Sequence, residues 1–309
     1  GADAGFARGP HHSDPRSGEI IDADIAMSDV FGRSARRFLV ENVGARAKPF
    51  TTPIAWPWAR HEAAECRYAQ DAVAELEFAL DLLEARRELT PDGPEAEAFA
   101  QAVVRDTVMH EVGHTLGLKH NFKGSTVYTR AQLQDPDFTA KNGISGSVMD
   151  YNAANLAVAG ERQGNLVNTT LGPYDYWAIE YAYKPIAPAD EAAELQRIAA
   201  RSSEPLLAYA DDADAGGFAG SDGVDPLVNR FDLGDDPLAY YRKRLQLTRE
   251  LWDRVQDLKL PPGESYERLT RGLSSGMGQV AGVAPLVAKY VGGVRHVRDR
   301  AGTGRPAYE

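Results

Sequence analysis

The chain has 309 residues, of which 43% are hydrophobic and 26% are charged. These values are typical of a globular protein with one large domain or two modest ones, long enough to bury a sizeable core. The formal net charge of −11 argues against nucleic acid as a partner, because an acidic surface repels phosphate backbones. No apolar run reaches the roughly 18 residues of a membrane-spanning helix, so no transmembrane segment is predicted.

The N-terminal region predicts a β-hairpin over residues 5–27. Two extended segments, "GFARGPHH" and "GEIIDADIAM", flank the turn-rich "SDPRSG", whose Pro and Gly favour a tight reversal. The segment "RRFLVENV" favours a further strand almost equally with a helix, and "TTPIAWPWAR" indicates irregular structure. The first residues lack the charged-then-apolar pattern of a signal peptide. We expect such a signal upstream, in a longer secreted precursor.

Two helices are predicted in the middle of the chain. The stretch "CRYAQDAVAELEFALDLLEARREL" has Val73, Leu76, Leu80 and Leu83 on one face and acidic residues on the other, which is typical of an amphipathic helix. Pro94 opens the second helix, at a position where its missing N–H costs nothing. This second helix continues as far as "HEVGHTLG".

The rest of the chain predicts a loop and then mainly helices. Residues 121–147 are rich in Gly, Ser, Asn and Asp, which predicts a polar loop. Helices are predicted for "GPYDYWAIEYAY", for residues 189–201, and for the long segments "DPLAYYRKRLQLTRELWDRV" and "GESYERLTRGLSSGMGQVAGVAPLVAKYVGG". The glycines of the last helix indicate a kink or very close packing. A boundary near residue 200 is predicted to divide the chain into domains 1–200 and 201–309.

The stretch "VMHEVGHTLGLKHNF" carries the chemistry. His110 and His114 are four residues apart, so a helix presents both imidazoles on one face. Two nitrogens placed in this way can bind one Zn²⁺ at about 2.0–2.1 Å. Glu111 is rotated away from His110 around the helix axis, so it can approach a water at the metal without being a ligand itself.

A third histidine completes the predicted zinc site. A continuing helix would turn His120 away from the metal, but Gly117 can adopt a positive φ, so the helix can stop there and the chain can turn back. Three histidine ligands leave one coordination position open, which is the pattern of catalytic rather than structural zinc.

The string His-Glu-x-x-His-x-x-Gly-x-x-His, followed by "SVMDYN", resembles the metzincin clan of zinc endopeptidases. Within it, the chain is similar to bacterial zinc-dependent metalloproteases whose catalytic region is catalogued as a domain of unknown function. The similarity covers most of residues 14–300. It implies an α+β fold, with a small twisted sheet, a long zinc helix and a Met-turn, then a mostly helical C-terminal region. It also implies a five-stranded, mostly parallel sheet; two or three strands are apparent here, and earlier ones are expected upstream.

The resemblance implies further roles. Met149, in the Met-turn, would form the floor of the site with no bond to zinc. Tyr151 matches a tyrosine of astacins and serralysins that can ligate the resting metal and then stabilise the oxyanion; the alternative is a buried tyrosine with a satisfied hydroxyl. The segment "GFARGPHH" would be the edge strand that pairs with the substrate backbone. His11 and His12 would then lie near the cleft, although exposed loop histidines are the favoured interpretation. Asn121, after the third histidine, departs from the better-known families.

Together, the motif and the resemblance predict a secreted, periplasmic or cell-surface zinc endopeptidase that acts on protein or peptide substrates. Zinc is the predicted cofactor, and Glu111 is the predicted general base. Two alternatives stay open: a non-peptidase zinc amidohydrolase, and a catalytically silent zinc-containing surface or binding protein. The retained Glu111 argues against the second, because a silent site need not keep its base.

Two further metal-binding hypotheses are weaker. The only cysteine, Cys66, excludes an internal disulfide, and a buried apolar role is favoured for it over a zinc-capping thiolate. The acidic segment 205–237 is a candidate for Ca²⁺, which prefers several oxygen ligands. A solvated acidic loop is favoured, because the spacing does not fit the twelve-residue calcium loop. The candidate calcium ligands are Asp211, Asp212, Asp214, Asp222 and Asp225.

Overall fold

The computed structural model describes most of the chain in seven segments. These are residues 7–9, 11–27, 68–90, 93–215, 223–260, 262–263 and 266–298. The predictions made for "RRFLVENV", "TTPIAWPWAR" and Cys66 fall outside the described residues.

The hairpin predicted for residues 5–27 is confirmed over residues 7–27. It consists of two short antiparallel ladders: β1 (Ala7–Arg8) pairs with β4 (Ala26–Met27), and β2 (His11–Ser13) pairs with β3 (Ile20–Ala23). The register shifts between His12 and Ser13. Every strand pair in the described residues is antiparallel, so the mostly parallel five-stranded sheet is not seen in them.

The described residues form nine α-helices, including all those predicted from the sequence. They are α1 (Tyr68–Ala85), α2 (Pro94–Thr115), α3 (Arg130–Leu133), α4 (Pro136–Asn142), α5 (Pro173–Tyr183), α6 (Glu191–Ala199), α7 (Asp212–Ala215), α8 (Pro237–Gln256) and α9 (Glu267–Ala288). Proline begins α2, α4, α5 and α8, where its fixed φ suits the first turn. No helix within the described residues has both the length and the apolar character needed to cross a membrane.

The prediction of an unbroken loop over 121–147 is wrong, because α3 and α4 lie inside it. Both helices have local caps. The side chain of Thr129 accepts from the Gln132 N–H in a reciprocal capping box, and Asp135 caps α4 by accepting from the Asp137 N–H. Such caps compensate for weak helix propensity. The two helices have 4 and 7 residues, which is too short to show an apolar periodicity, so the polar composition of the segment indicated a loop.

The main hydrophobic core packs α1 against α2 and α8. Phe78 and Leu82 of α1 are fully buried in one cluster with Leu247 and Leu251 of α8. Helix α9 packs along α8, in agreement with the close packing that its glycines indicated. Because this core joins residues from both sides of residue 200, α1 and α2 are supported by the C-terminal helices. The domain division at that residue stays a prediction.

Arg86, just after α1, joins this helix to α8 through a buried ion pair. Its guanidinium donates to the two carboxylate oxygens of Glu250 at 2.9 and 2.6 Å, and to the carbonyl oxygen of Ala157 at 3.0 Å. Only 6% of the Arg86 side chain is exposed. Removing Arg86 would leave Glu250 with the more exposed Arg254, which is 2.8 Å away.

We expect Arg86→Met to lower the free energy of unfolding by about 3 kcal/mol, because breaking a buried ion pair leaves one charge poorly compensated. The neighbouring Arg87 is exposed, so Arg87→Met is the matched control and should change stability by roughly 0.5 kcal/mol or less. Urea denaturation followed by circular dichroism measures both variants. Equal losses in the two variants would contradict the role given to Arg86.

Candidate metal centre

Helix α2 ends in a turn that brings the third histidine back towards the first two. Gly117 has φ = 83°, a conformation that glycine adopts without steric cost. The Gly117 N–H donates to the His114 carbonyl oxygen at 2.9 Å, and the Leu118 N–H donates to the Gly113 carbonyl oxygen at 3.0 Å. These two bonds form a Schellman motif. The predicted helix-ending role of Gly117 therefore agrees with the geometry of this turn.

The side chains of His110, His114 and His120 converge. The Nε2 atom of His114 lies 3.1 Å from Nε2 of His110 and 3.2 Å from Nε2 of His120. His110 is fully buried and His120 is only 8% exposed. Within the described residues, these three form the one group of His, Cys, Asp and Glu side chains that could hold a metal ion.

Each imidazole is fixed by a hydrogen bond at its other nitrogen. Nδ1 of His110 lies 2.8 Å from the Val148 carbonyl oxygen, and Nδ1 of His114 lies 2.9 Å from the Leu118 carbonyl oxygen. A carbonyl oxygen can only accept, so both Nδ1 atoms carry the proton. Nδ1 of His120 faces a carboxylate oxygen of Asp212 at 2.6 Å. Three Nε2 lone pairs therefore point towards one another.

This donor set fits a zinc ion. Three lone pairs that converge without a hydrogen between them repel one another unless a cation lies among them. Two nitrogens bound to a tetrahedral zinc at about 2.0–2.1 Å would be roughly 3.3 Å apart, close to the separations found here. Neutral imidazole nitrogens are also ligands that zinc prefers.

Burial keeps two of the imidazoles neutral. It lowers the pKa of His110 well below its usual value, and the nearby His114 and His120 lower it further. Burial also lowers the pKa of His114 to about 4. Both rings therefore have an available lone pair at neutral pH, as a metal ligand must.

The turn Ser147–Met149 lies against α2 and holds His110. Its anchor is Asp175 of α5, a buried residue that sequence reasoning did not identify. Asp175 accepts from the Ser147 hydroxyl at 2.7 Å and from the Val148 N–H at 2.9 Å. The same Val148 then accepts from His110 through its carbonyl oxygen. Asp175 also accepts from the Gly172 N–H at 2.8 Å at the start of α5, but no local pattern pointed to its contact with the turn, because Ser147 and Val148 are more than twenty residues away.

Met149 packs directly against the zinc-motif helix. Its side chain is completely buried, and a Cβ added at Gly113 would lie 2.1 Å from the Met149 sulfur. Gly113 stands between His110 and His114, so only a residue without a side chain allows this approach. The Met149 carbonyl oxygen also accepts from the Asn121 N–H at 2.9 Å, which ties the turn to the segment that carries His120.

Glu111 and Tyr151, the two predicted catalytic residues, are both buried. Glu111 is on α2 with no exposed surface, and Tyr151 is 1% exposed. The ring centroid of Tyr151 lies 5.5 Å from that of His110 and 4.8 Å from that of His120. The structure thus places the Tyr151 ring against two of the three histidines, and it buries Glu111 on the helix that carries His110 and His114.

Two other predicted groups have partners other than the three histidines, with the exception of Asp212. His11 and His12 are exposed on β2, and His12 pairs with Asp22 at 2.6 Å. Among the candidate calcium ligands, Asp214 pairs with Arg298 and Asp225 pairs with Lys123. The calcium hypothesis stays a prediction, since Asp222 lies outside the described residues.

Asp212 contacts the metal centre through His120. The sequence analysis had proposed it only as a calcium ligand. It faces His120 through Oδ2 and accepts from Arg230 through Oδ1 at 3.0 Å. Burial alone would raise the pKa of Asp212, but hydrogen bonds with His120 and Arg230 outweigh burial and hold that pKa below its usual value. Asp212 is therefore a carboxylate at neutral pH.

Comparison with known families agrees with this geometry. A family model described as Met-zincin matches residues 92–309, more than two thirds of the chain. The chain belongs to the Met-zincin family. The resemblance predicted from the sequence is thereby confirmed, and membership indicates a zinc metallopeptidase type of hydrolase. Searches among curated proteins and among solved structures found no match.

The contact between Gly113 and Met149 predicts that Gly113→Ala destabilises this Met-zincin when Met149 is present and stabilises it when Met149 is replaced by alanine. We expect Gly113→Ala to destabilise the metal-free protein by roughly 1–3 kcal/mol, because the new methyl group overpacks against the sulfur. In a Met149→Ala background the space is free, and the helix preference of alanine should make the same substitution stabilising by up to about 1 kcal/mol. Unfolding free energies in urea with EDTA measure the cycle.

The control background is Met277→Ala, since Met277 is 66% exposed and its removal leaves the clash intact. An identical cost of Gly113→Ala in both methionine backgrounds would refute the direct contact.

Proposed function

We propose that the chain is a zinc-dependent endopeptidase in which His110, His114 and His120 hold the metal. One observation carries this proposal: the Nε2 atoms of three histidines converge, and the buried Glu111 directly follows the first of them on α2. When bound, zinc supplies Lewis acidity, which polarises a carbonyl group and makes water nucleophilic near neutral pH. The catalytic role of each protein residue is inferred from its position.

Glu111 is proposed as the general base. It accepts a proton from the attacking water and delivers it to the leaving amine, so one carboxylate serves both halves of the reaction. Its position directly after His110 keeps it beside the metal ligands, and its complete burial excludes bulk water from the carboxylate. No covalent bond between enzyme and substrate is needed.

Tyr151 and Met149 are proposed to support the reaction. The contact of the Tyr151 ring with His110 and His120 favours a hydroxyl that stabilises the oxyanion of the tetrahedral intermediate. The packing of Met149 against Gly113 favours the role of a floor under the histidines. It stiffens the helix that carries two of them, and forms no bond to zinc.

Peptide substrates are proposed on the position of the N-terminal hairpin. Strand β1 packs against α2, which supports the hypothesis that an extended peptide pairs with this hairpin along the cleft. An amidohydrolase for small substrates would not need such an edge. A location outside the cytoplasm is proposed from the family resemblance alone.

Digestion of a peptide library by the zinc-loaded protein tests the function. We expect internal cleavage by the wild type and a loss of roughly 10²–10⁴-fold in Glu111→Gln, which keeps its zinc but lacks the base. Glu95→Gln is the matched control, because Glu95 is an exposed residue of the same helix. Tyr151→Phe should lower kcat by roughly 10²-fold with little effect on KM, if its hydroxyl acts on the transition state.

Wild-type turnover in Glu111→Gln would overturn the assignment of the base. Hydrolysis of small amides without cleavage of any peptide would favour the amidohydrolase alternative. Tight zinc binding without either activity would favour the silent binding protein.

A further inference from the structure

The three histidines of the metal centre differ in what fixes their outer nitrogens. Nδ1 of His110 and Nδ1 of His114 donate to backbone carbonyl oxygens. Nδ1 of His120 instead faces a side-chain carboxylate, that of Asp212, at the short distance of 2.6 Å. A hydrogen bond to a charged acceptor is stronger than one to a neutral carbonyl. Among the three histidines, His120 therefore makes the strongest hydrogen bond at Nδ1. It is also the one whose Nδ1 partner is a side chain rather than the backbone.

The chain brings Asp212 to this position through Asn121, the residue next to His120. The Asn121 amide donates to the Ala208 carbonyl oxygen at 3.0 Å, and its Oδ1 accepts from the Ala210 N–H at 3.2 Å. The Phe122 N–H donates to the Ala210 carbonyl oxygen at 2.8 Å. These bonds align residues 208–212 with residues 120–122, so the carboxylate reaches the imidazole in a fixed register.

The other side of Asp212 is fixed by Arg230. The Arg230 guanidinium donates to Asp212 Oδ1, while Oδ2 is taken by His120. The same guanidinium lies 4.5 Å from the ring centroid of Phe122, and the Phe122 ring stacks on His120 with centroids 5.1 Å apart. His120, Asp212, Arg230 and Phe122 thus form a closed ring of contacts, which we call the His120 clamp.

From this geometry we propose that Asp212 is a positioning residue for the metal site, acting through His120. By accepting a hydrogen bond from the Nδ1–H of His120, Asp212 selects the tautomer whose Nε2 lone pair faces His114, and its negative charge makes that nitrogen a better donor to a metal. The clamp also prevents rotation of the ring. This inference rests on the proposed function in one respect, namely that the metal is zinc.

Zinc affinity, measured by competition with a chromogenic chelator, tests the inference on the whole chain. We expect Asp212→Ala to weaken zinc binding by about 10–100-fold, the usual effect of losing a carboxylate that orients a histidine ligand. Asp212→Asn keeps the shape and one acceptor oxygen, so it should fall between the wild type and Asp212→Ala. Asp214→Asn removes the same charge from the same segment, where Asp214 contacts Arg298 rather than a histidine, and should bind zinc like the wild type.

Two further readouts separate positioning from a merely structural role. The visible absorption spectrum of the Co²⁺-loaded protein should shift in both Asp212 variants and not in Asp214→Asn, because only Asp212 touches a ligand. The unfolding midpoint in EDTA should be similar in Asp212→Asn and Asp214→Asn, while the stabilisation on adding zinc should be smaller in Asp212→Asn.

Wild-type zinc affinity in Asp212→Ala would overturn the inference and leave the proposed function intact. An equal loss of affinity in Asp212→Asn and Asp214→Asn would also overturn it, because the effect would then be one of net charge. A wild-type protein that binds no zinc would overturn the proposed function, and this inference with it.

Discussion

The centre depends on the tautomers of three imidazoles. Each ring donates a hydrogen bond from its Nδ1–H to an acceptor of the protein, so each Nε2 atom directs a lone pair towards the same small volume. Such an arrangement is repulsive in isolation, and a cation makes it attractive. The fold maintains it by burial, which lowers the pKa of His110 and of His114 and disfavours the protonated rings that would otherwise relieve the repulsion with a hydrogen bond.

Three distant parts of the chain supply the acceptors. The end of α2 returns on itself at Gly117 and offers the Leu118 carbonyl group to His114. The turn Ser147–Met149 offers the Val148 carbonyl group to His110 and is itself held by Asp175. The segment around Asp212 serves His120. The hydrogen-bond partner at the outer nitrogen orients each histidine ligand. The geometry of the site therefore depends on all three of these segments and not on α2 alone.

The parts of the site that could be predicted from the sequence are those set by local geometry. The spacing of His110 and His114 and the glycine that ends α2 depend on neighbours within one or two helical turns, so the converging histidines could be expected in advance. The contacts of Asp175 and Asp212 join residues that are far apart in sequence, and no local pattern encodes them. In the case of Asp212, the dense acidic composition pointed to a cation ligand, whereas the residue interacts with an imidazole and a guanidinium of the chain.

The fold was predictable to a similar degree. Long amphipathic helices such as α1 and α8 have clear apolar periodicity. The short helices α3 and α4 are specified by caps at Thr129 and Asp135 in a polar setting and carry no such signal. Asn121 is a further example. The sequence showed that this residue departs from the better-known families, but its role became clear only from its hydrogen bonds with Ala208 and Ala210 in the structure.

The central claim is that the three histidines bind zinc, and metal content tests it most directly. Elemental mass spectrometry would be applied to the purified wild type, to His114→Ala, and to His12→Ala as a control on an exposed histidine of β2. We predict about one zinc per chain in the wild type and in His12→Ala, and none in His114→Ala. A wild type that holds no zinc, and takes up none when zinc is added, would contradict the claim.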